Sequence, residues 1–267
     1  MNATNGVHCR TVFLSDIHLG NKDCKAVYLC DFLSKLHCDR LYLVVDIVDL
    51  IAMRRKVHFT KDHHQVLKEI RRLAEQGTEV IYVPGNHDAE LRQFVGGILL
   101  DIHVQRQAEH VTVDGKRLLV IHGDELDHAI LYRTFLKLIG DQAYDLMAFL
   151  NRWFNRFRRL MGKPYWSLAT YLKTHVSQAR KTIETFETAA AKLAKSQGYD
   201  GVVCGHIHKA EIREIDGALY CNDGDWTESC TALVESDTGD LSLLHWVEQP
   251  STLKLVTNKT APKAQAA

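Results

Sequence analysis

Five strand-like segments, each ending in polar residues, constrain most strongly what this chain can fold into. They cover residues 11–18, 41–49, 79–88, 117–125 and 201–208. Helical patterns at 26–36 and 63–77 separate the earlier segments, and Gly77 marks the C-terminal end of the second pattern. Strands that alternate with helices over short loops predict a largely parallel sheet covered by helices.

The segment LYLVVDIVDL, residues 41–50, carries two carboxylates that need a compensating charge. Its first five residues are apolar, which is typical of a buried strand. It then brings Asp46 and Asp49, and no Lys or Arg follows until Arg54. Because a buried, unpaired carboxylate is costly, we expect a cation at this strand end.

Each of the five segments ends with residues that are able to bind a metal. They are Asp16 and His18; Asp46 and Asp49; Asn86, His87 and Asp88; His122; and His206 and His208. The carboxyl ends of parallel strands meet at one edge of a sheet, so these side chains should converge. A single His after a strand is commonly a hydrogen-bonded polar residue, but five such ends together indicate a metal site.

The rest of the chain predicts an insertion, further strands and a tail. Residues 128–197 keep helical spacing and predict an inserted helical cap between the core segments 1–127 and 198–249. Shorter strand candidates after residue 208, joined by Asp-Gly and Thr-Gly turns, predict antiparallel pairs. Residues 250–267 lose aromatic content, and we expect them to be disordered.

The charge balance and the cysteine content indicate which partners and which cellular compartment to expect. Lys plus Arg and Asp plus Glu are equal at 33 each, so no global charge favours nucleic acid, and none is expected as a partner. The seven cysteines form no CxxC pair, which indicates reduced thiols in a reducing compartment. The N-terminus lacks a signal-peptide pattern and no apolar run reaches the ~18 residues of a spanning helix, so we expect a cytoplasmic location.

The ordered set DxH, xDxxD, GNHD, H and GHxH resembles the calcineurin-like metallophosphoesterase family, over roughly residues 7–125 and 199–249. The resemblance implies an α/β fold, a two-sheet α/β sandwich with helices outside, here with the inserted helical cap. It also implies two divalent cations about 3.5–4 Å apart at the strand ends. The implied ligands of one cation are Asp16, His18, Asp46 and His208. Those of the other are Asp46, Asn86, His122 and His206, so that Asp46 bridges the pair.

The implied chemistry suits these residue types. Two divalent cations against two ligand carboxylates, Asp16 and Asp46, leave a charge of about +2, which attracts a phosphate oxyanion. Nitrogen and oxygen ligands without Cys suit Mn, Fe or Zn, of which we expect Mn. His87 is implied as a non-ligand that stabilises the transition state or protonates the leaving oxygen, with Asp88 orienting it. Asp49 either supports the ligands or caps the loop that follows it.

One position departs from the family pattern GDxxD. The glycine of that pattern is Val45 here. Valine adds two methyl groups beside the implied cations and lacks the conformational freedom of glycine. We expect this substitution to lower metal affinity or turnover without removing a ligand.

Within the family, the motifs SDIHLG and HGDELD and the helical insertion resemble UDP-2,3-diacylglucosamine diphosphatase and its relatives. This implies hydrolysis of UDP-2,3-diacylglucosamine to UMP and 2,3-diacylglucosamine 1-phosphate in lipid A biosynthesis. The best-known diphosphatases carry Arg at the position of His87. Two alternatives are a phosphodiesterase or phosphatase on a soluble substrate, and a calcineurin-fold scaffold that binds proteins. The scaffold predicts eroded ligands, whereas all seven ligand positions are filled here.

The segment NRWFNRFRRLMGK, residues 151–163, is basic and aromatic without an acidic residue. Helical spacing places Arg152, Arg156, Arg159 and Lys163 on one stripe beside aromatic side chains. Such a helix suits an anionic membrane surface or an acylated, phosphorylated substrate, so these arginines are candidate substrate contacts. We expect peripheral contact with the inner face of the cytoplasmic membrane; the alternative is a helix that packs its aromatics on the core.

Overall fold

Two sheets form the centre of the molecule. The computed structural model describes residues 6–44, 46–99, 102–126, 153–158, 160–161, 177–246 and 256–257. The strands are β1 (Val7–Leu14), β2 (Leu36–Val44), β3 (Glu79–Val83), β4 (Ile98–Leu99), β5 (Ile102–Val104), β6 (Ala108–Val111), β7 (Arg117–Val120), β8 (Gly201–Cys204), β9 (Glu211–Ile215), β10 (Ala218–Asn222), β11 (Thr231–Glu235), β12 (Leu241–His245) and β13 (Val256–Thr257). In the described residues, the first sheet has the order β13-β12-β11-β1-β2-β3-β5-β4 and the second β6-β7-β8-β10-β9.

The parallel core predicted from the alternating segments is confirmed. Strands β1, β2, β3 and β5 pair in parallel in the first sheet, and β7 and β8 do so in the second. The predicted antiparallel pairs of the later strands are β9 with β10 and β11 with β12. On its other side β10 pairs with β8, and this pair is parallel and not antiparallel as predicted. The reason is that β9 lies at the edge of the sheet and the chain then returns between β8 and β9.

The helices cover the outer faces of the sheets. They are α1 (Ala26–Lys35), α2 (Leu50–Arg55), α3 (Lys61–Glu75) and α4 (Ser177–Ser196), with 3₁₀ helices at Ala89–Phe94 and Asp124–Leu126. Thr60 begins α3 by accepting a hydrogen bond from the backbone N–H of His63 at 3.3 Å. Gly77 follows its end at a φ of +99°, a left-handed conformation that favours glycine.

Three apolar layers hold these elements together. Between the sheets, Phe13, Tyr42 and Val83 of the first face Val120 and Val203 of the second. Outside the first sheet, α1 and α3 pack side chains that include Leu29, Phe32, Val66 and Ile70. The central strands of the first sheet are buried on both faces, and for this reason their sequence segments are nearly continuous apolar runs. The fold class is therefore confirmed as a two-sheet α/β sandwich.

Helix α4 covers the second sheet. Its Ile183, Phe186 and Ala190 pack with Val202 and Tyr220 of β8 and β10. We expected residues 128–197 to form an inserted cap, and by these contacts the last part of that range packs on the core. The bounds of the cap otherwise stay a prediction, since residues 127–152 and 162–176 lie outside the described residues.

The C-terminal tail contributes one short strand to the first sheet. We expected residues 250–267 to be disordered, but Val256–Thr257 pair with β12 as β13; the others of that range lie outside the described residues. Among the described helices, none has both the length and the apolar character needed to cross a membrane.

Candidate metal centre

The backbone at the strand ends adopts an unusual conformation. Non-glycine residues with positive φ include five of the seven predicted ligands: Asp16 at 48°, His18 at 55°, Asp46 at 48°, His206 at 70° and His208 at 50°. Asp and His tolerate this region better than most residues, yet each instance costs about 1–3 kcal/mol and persists only where its surroundings impose it. Such outliers cluster at functional sites, and here they turn side chains from both sheets toward each other.

Asp16, His18 and His208 form the first half of the candidate centre. The Nε2 atom of His208 lies 3.2 Å from Oδ1 of Asp16, and Nε2 of His18 lies 3.8 Å from the same oxygen. The ligand atoms of all three residues lie within 4.8 Å of one another. The buried Nε2 of His18 has no hydrogen-bond partner among the described residues, and a cation would satisfy it.

Asn86, His122 and His206 form the second half. The Nε2 atom of His122 lies 2.8 Å from Oδ1 of Asn86 and 3.0 Å from Nδ1 of His206. Ligand atoms that each lie about 2.0–2.1 Å from one ion, at octahedral or tetrahedral angles, are separated by about 2.8–3.4 Å, so both contacts suit a shared cation. Burial and the charge of His206 hold the pKa of His122 well below its usual value, which favours the neutral imidazole that metals bind.

Asp46 lies between the two halves. Its Oδ2 is 3.7 Å from Nε2 of His122, and its carboxylate lies within 4.8 Å of ligand atoms of His18 and His87. Oδ1 accepts a hydrogen bond from the backbone N–H of His87 at 2.8 Å. Burial raises the pKa of Asp46 to about 6, so the charged form needs a nearby cation. Its position suits the predicted bridge between two cations.

In the first half, positive charge on histidine side chains stabilises the buried carboxylates. Burial lowers the pKa of His18, but the adjacent carboxylates of Asp16 and Asp49 raise that pKa to about 10. Burial favours the neutral form of Asp16, but the charge of His208 and hydrogen bonds from His18 and His208 hold the pKa of Asp16 well below its usual value. The protonated imidazole of His18 thus offsets part of the carboxylate charge, and divalent cations would supply positive charge there instead.

Asp49 connects three parts of the site. Its Oδ2 contacts Nδ1 of His18 at 3.2 Å, and its Oδ1 contacts Nδ1 of His87 at 2.9 Å. Oδ1 also accepts a hydrogen bond from the backbone N–H of Ala52 at 2.8 Å and so caps α2. The contacts of Asp49 therefore fit both interpretations: it contacts the candidate ligand His18, and it caps the helix that follows it.

The contacts of Asp88 differ from those we expected. We expected Asp88 to orient His87, and the structure gives that contact to Asp49 instead. The buried carboxylate of Asp88 accepts hydrogen bonds from the backbone N–H groups of Gly85 at 2.7 Å and Ile47 at 3.1 Å, and from the hydroxyl of Tyr82. Asp88 thus ties the loop of Asn86 to the loop of Asp46. Because the carboxylate of Asp88 makes these three hydrogen bonds, the contact with His87 is made by the carboxylate of Asp49.

The sequence reasoning missed a group of buried residues behind the first half. Ser15 donates to Oδ1 of Asp223 at 2.6 Å, and the backbone N–H of Trp226 donates to the carbonyl of Asp16 at 3.1 Å. Asp225 is fully buried, with its Oδ1 4.0 Å from Nδ1 of His208. The signal was the polar run NDGDW after β10, which contains two aspartates in an otherwise buried segment.

Gly205 allows the two sheets to approach each other at this point. A Cβ atom there would lie 2.5 Å from Oγ of Ser15 and 2.6 Å from Oδ2 of Asp16. The backbone N–H of the next residue, His206, donates to that same Asp16 oxygen at 2.8 Å. A glycine is therefore required where the GHIH loop meets the first strand end.

The predicted substrate contacts are only partly described. Arg156 is exposed within the helical residues 153–158, whereas Arg152, Arg159 and Lys163 lie outside the described residues. In the same stretch, Trp153 is 62% exposed and Leu160 is 82% exposed. Val45 also lies outside the described residues, so its expected effect stays a prediction.

The chain is similar to several known proteins. The chain is 26% identical over 236 residues to a protein of Chromohalobacter salexigens named UDP-2,3-diacylglucosamine hydrolase, covering 81% of this chain and 88% of that protein. A protein of the same name from Neisseria meningitidis serogroup B is 25% identical over 243 residues, covering 84% and 93%. Among solved structures, the phosphoesterase Yfce of E. coli aligns with a TM-score of 0.47 at 14% identity, covering 92% of this chain and 98% of that one.

The family assignment comes from the part of the chain that builds the candidate centre. The sequence model of calcineurin-like phosphoesterases matches residues 9–210, which include all seven predicted ligands. Those residues supply the strand ends, the convergent side chains and the donor set that a divalent cation requires. The chain belongs to the calcineurin-like phosphoesterase family and is a metal-dependent phosphoester hydrolase.

Proposed function

We propose that this phosphoesterase hydrolyses the pyrophosphate of UDP-2,3-diacylglucosamine, releasing UMP and 2,3-diacylglucosamine 1-phosphate. The observation that carries the substrate is the similarity, over more than four fifths of the chain, to proteins named UDP-2,3-diacylglucosamine hydrolase. The reaction would be a step of lipid A biosynthesis. It needs a centre that binds a phosphate oxyanion and an adjoining surface that accepts acyl chains.

The proposed centre holds two divalent cations, with Mn as the first choice and Fe or Zn as alternatives. Asp16, His18, Asp46 and His208 would hold one. Asp46, Asn86, His122 and His206 would hold the other. When bound, the cations polarise the phosphate and lower the pKa of water, which supplies a nucleophile at neutral pH.

His87 is the proposed residue for leaving-group assistance. Asp49 holds its Nδ1 atom at 2.9 Å, which fixes the ring and leaves Nε2 as the atom that can meet the leaving oxygen. The imidazole is about one third exposed, as a group that contacts substrate must be. An imidazole held in this orientation can donate a proton or a hydrogen bond to the leaving phosphate.

The exposed surface of residues 153–161 is the proposed contact for the lipid part of the substrate and for an anionic membrane face. Trp153, Phe157 and Leu160 are exposed, and Arg156 adds positive charge beside them. Apolar side chains flanked by cations suit the boundary between acyl chains and head groups. This supports Arg152, Arg156 and Arg159 as substrate contacts and a peripheral location at the cytoplasmic membrane.

Charge reversal tests that surface. The double variant Arg152→Glu and Arg156→Glu should raise KM for UDP-2,3-diacylglucosamine, because it repels the phosphates and anionic lipid. Hydrolysis of bis-p-nitrophenyl phosphate, which is small and water-soluble, should keep its rate. Equal losses on both substrates would indicate damage to the fold, and unchanged kinetics on both would favour a helix that packs on the core.

A second candidate function is a phosphodiesterase or phosphatase on a soluble substrate. His87 favours it, because the best-known diphosphatases carry Arg at this position and the imidazole here is oriented for proton transfer. The two functions separate in one assay of the Mn-loaded protein with both substrates. A much higher kcat/KM for UDP-2,3-diacylglucosamine supports the first; turnover of the soluble diester alone supports the second.

A further inference from the structure

Arg92 links two loops that carry candidate ligands. It lies in the 3₁₀ helix Ala89–Phe94, shortly after Asn86. Its Nη2 atom donates to both carboxylate oxygens of Asp124, at 2.8 and 2.7 Å, and lies 3.3 Å from the carbonyl of Pro84. A single nitrogen thus contacts three oxygens on two loops.

The contacted groups lie close to the second half of the centre. Pro84 precedes Asn86 by two residues, and Asp124 follows His122 by two. One loop follows β3 in the first sheet and the other follows β7 in the second. The distance of 2.8 Å between Oδ1 of Asn86 and Nε2 of His122 therefore depends on how the two sheets are held at this point.

The environment makes this ion pair stronger than an ordinary surface pair. The side chain of Arg92 is 25% exposed and that of Asp124 is 12% exposed, so water and salt screen their attraction only partly. Hydrogen bonds with charge on both partners are shorter and stronger than neutral ones. The hydrogen bonds of Arg92 among the described residues go to Asp124 and Pro84 and not to a candidate ligand, so its geometric effect passes through the loops. Its charge also acts directly on His122.

We propose that Arg92 is a positioning residue that, through Asp124 and Pro84, holds the loop of His122 against the loop of Asn86 and thereby sets the affinity of the second cation position. The proposal rests on the proposed function, since it requires a centre with two cations. It predicts an effect on one of the two positions, because Asp16, His18 and His208 lie on other loops.

The test measures Mn²⁺ binding to the full-length, metal-free protein by equilibrium dialysis. Arg92→Met removes the donors and keeps a long unbranched side chain. It should lower the affinity for one of two ions by ~10–100-fold, the usual effect of losing a group that supports a ligand, and leave the other unchanged. Asp124→Asn should do the same. Arg92→Lys keeps the charge and one donor nitrogen, and should recover most of the binding.

Arg10→Met is a matched control. Nη1 of Arg10 donates to Oε2 of Glu235 at 2.7 Å and to the carbonyl of Val111 at 3.1 Å, so it also links the first sheet to the second. Its side chain is 29% exposed, close to that of Arg92. It lies four residues before the end of β1 at Leu14, ~13 Å from that strand end. This variant should lose comparable stability yet bind both ions as the wild type does.

Three results would overturn the proposal: unchanged binding of both ions by Arg92→Met, an equal loss at both positions, or the same loss in Arg10→Met. If Arg92→Met does not fold, Asp124→Asn and Arg92→Lys decide by the same criterion. Failure of the two-cation centre would be seen separately, since the wild-type protein itself would then bind fewer than two ions, and failure of the proposed substrate would leave the binding of both ions unchanged.

Discussion

The two halves of the candidate metal centre differ in how the protein holds them. In the first half, all three residues, Asp16, His18 and His208, have positive φ, and buried polar groups support each of them. In the second half, only His206 has positive φ. The ring of His206 lies 5.9 Å from the ring of Phe186. Asn86 and His122 lie on the two loops that Arg92 and Asp124 join near the surface.

This difference indicates how each half would respond to a cation. Largely buried hydrogen bonds, such as that between Asp49 and His18 and that from the backbone N–H of His206 to Asp16, make the first half rigid, so it should keep most of its geometry whether or not an ion is bound. The second half depends on two loops from different sheets whose link is partly exposed. We therefore expect the first position to bind its ion more tightly, and the second to be the one that purified protein loses first.

Asp46→Ala should break both halves at once, with the largest effect. Its carboxylate lies between them, 3.7 Å from His122 and near His18, so its loss leaves neither cation fully held. Hydrolysis of bis-p-nitrophenyl phosphate should fall to background and the bound metal should fall below one ion per chain. Two bound ions with a near-normal kcat would exclude Asp46 as the bridge.

His87→Ala should leave both halves loaded but slow the reaction. Asp49 holds the imidazole beside both halves, and its proposed task is leaving-group assistance, which contributes typically ~10²–10⁴-fold in rate. Measured kcat should drop by that factor while metal content stays at the wild-type level. A loss of metal would instead make His87 a ligand, in line with its closeness to Asp46 and His18.

Gly205→Ala should damage the first half in particular. The added Cβ would lie 2.6 Å from Oδ2 of Asp16, so Asp16 or the GHIH loop must shift. We expect ~10–100-fold weaker binding of the tighter ion. Gly115→Ala is the control, because its φ of +85° carries backbone strain but open space surrounds it. Equal metal binding in the two variants would mean that the close approach at Gly205 has no role.

Asp49→Asn should weaken the first half mildly. One carboxylate oxygen becomes an amide donor, so the contact to Nδ1 of His18 or to Nδ1 of His87 loses its acceptor. The tighter ion should bind about 10-fold less well, at the low end for supporting residues, and kcat should fall with it. Dialysis against Mn²⁺ buffers measures the first effect; a wild-type affinity with a wild-type rate would reduce Asp49 to a helix cap.

The sequence predicts well what local pattern determines. The alternating apolar segments predicted the parallel strands, and the polar residues at their ends predicted which side chains converge. Both follow from chain direction within a sheet, which needs no knowledge of distant contacts. The family resemblance implied that Asp88 orients His87, whereas in the structure Asp49 makes that contact.

What the sequence could not predict depends on contacts between distant segments. Asp49 reaches His87 across 38 positions and Ser15 reaches Asp223 across 208. Residues 128–197 predicted an inserted cap because helical spacing continues through them, and that spacing does not specify that Phe186 and Ala190 of α4 pack on the second sheet. Strand β10 runs parallel to β8 because of the sheet position that β9 takes, which no turn motif specifies.

Anomalous diffraction from crystals soaked in Mn²⁺ tests the central claim most directly. The account predicts two peaks about 3.5–4 Å apart. One should lie among Asp16, His18 and His208 and the other among Asn86, His122 and His206, with Asp46 between them and the first peak stronger at limiting metal. A single peak, or an ion held by His87 in place of His122 and His206, would contradict it.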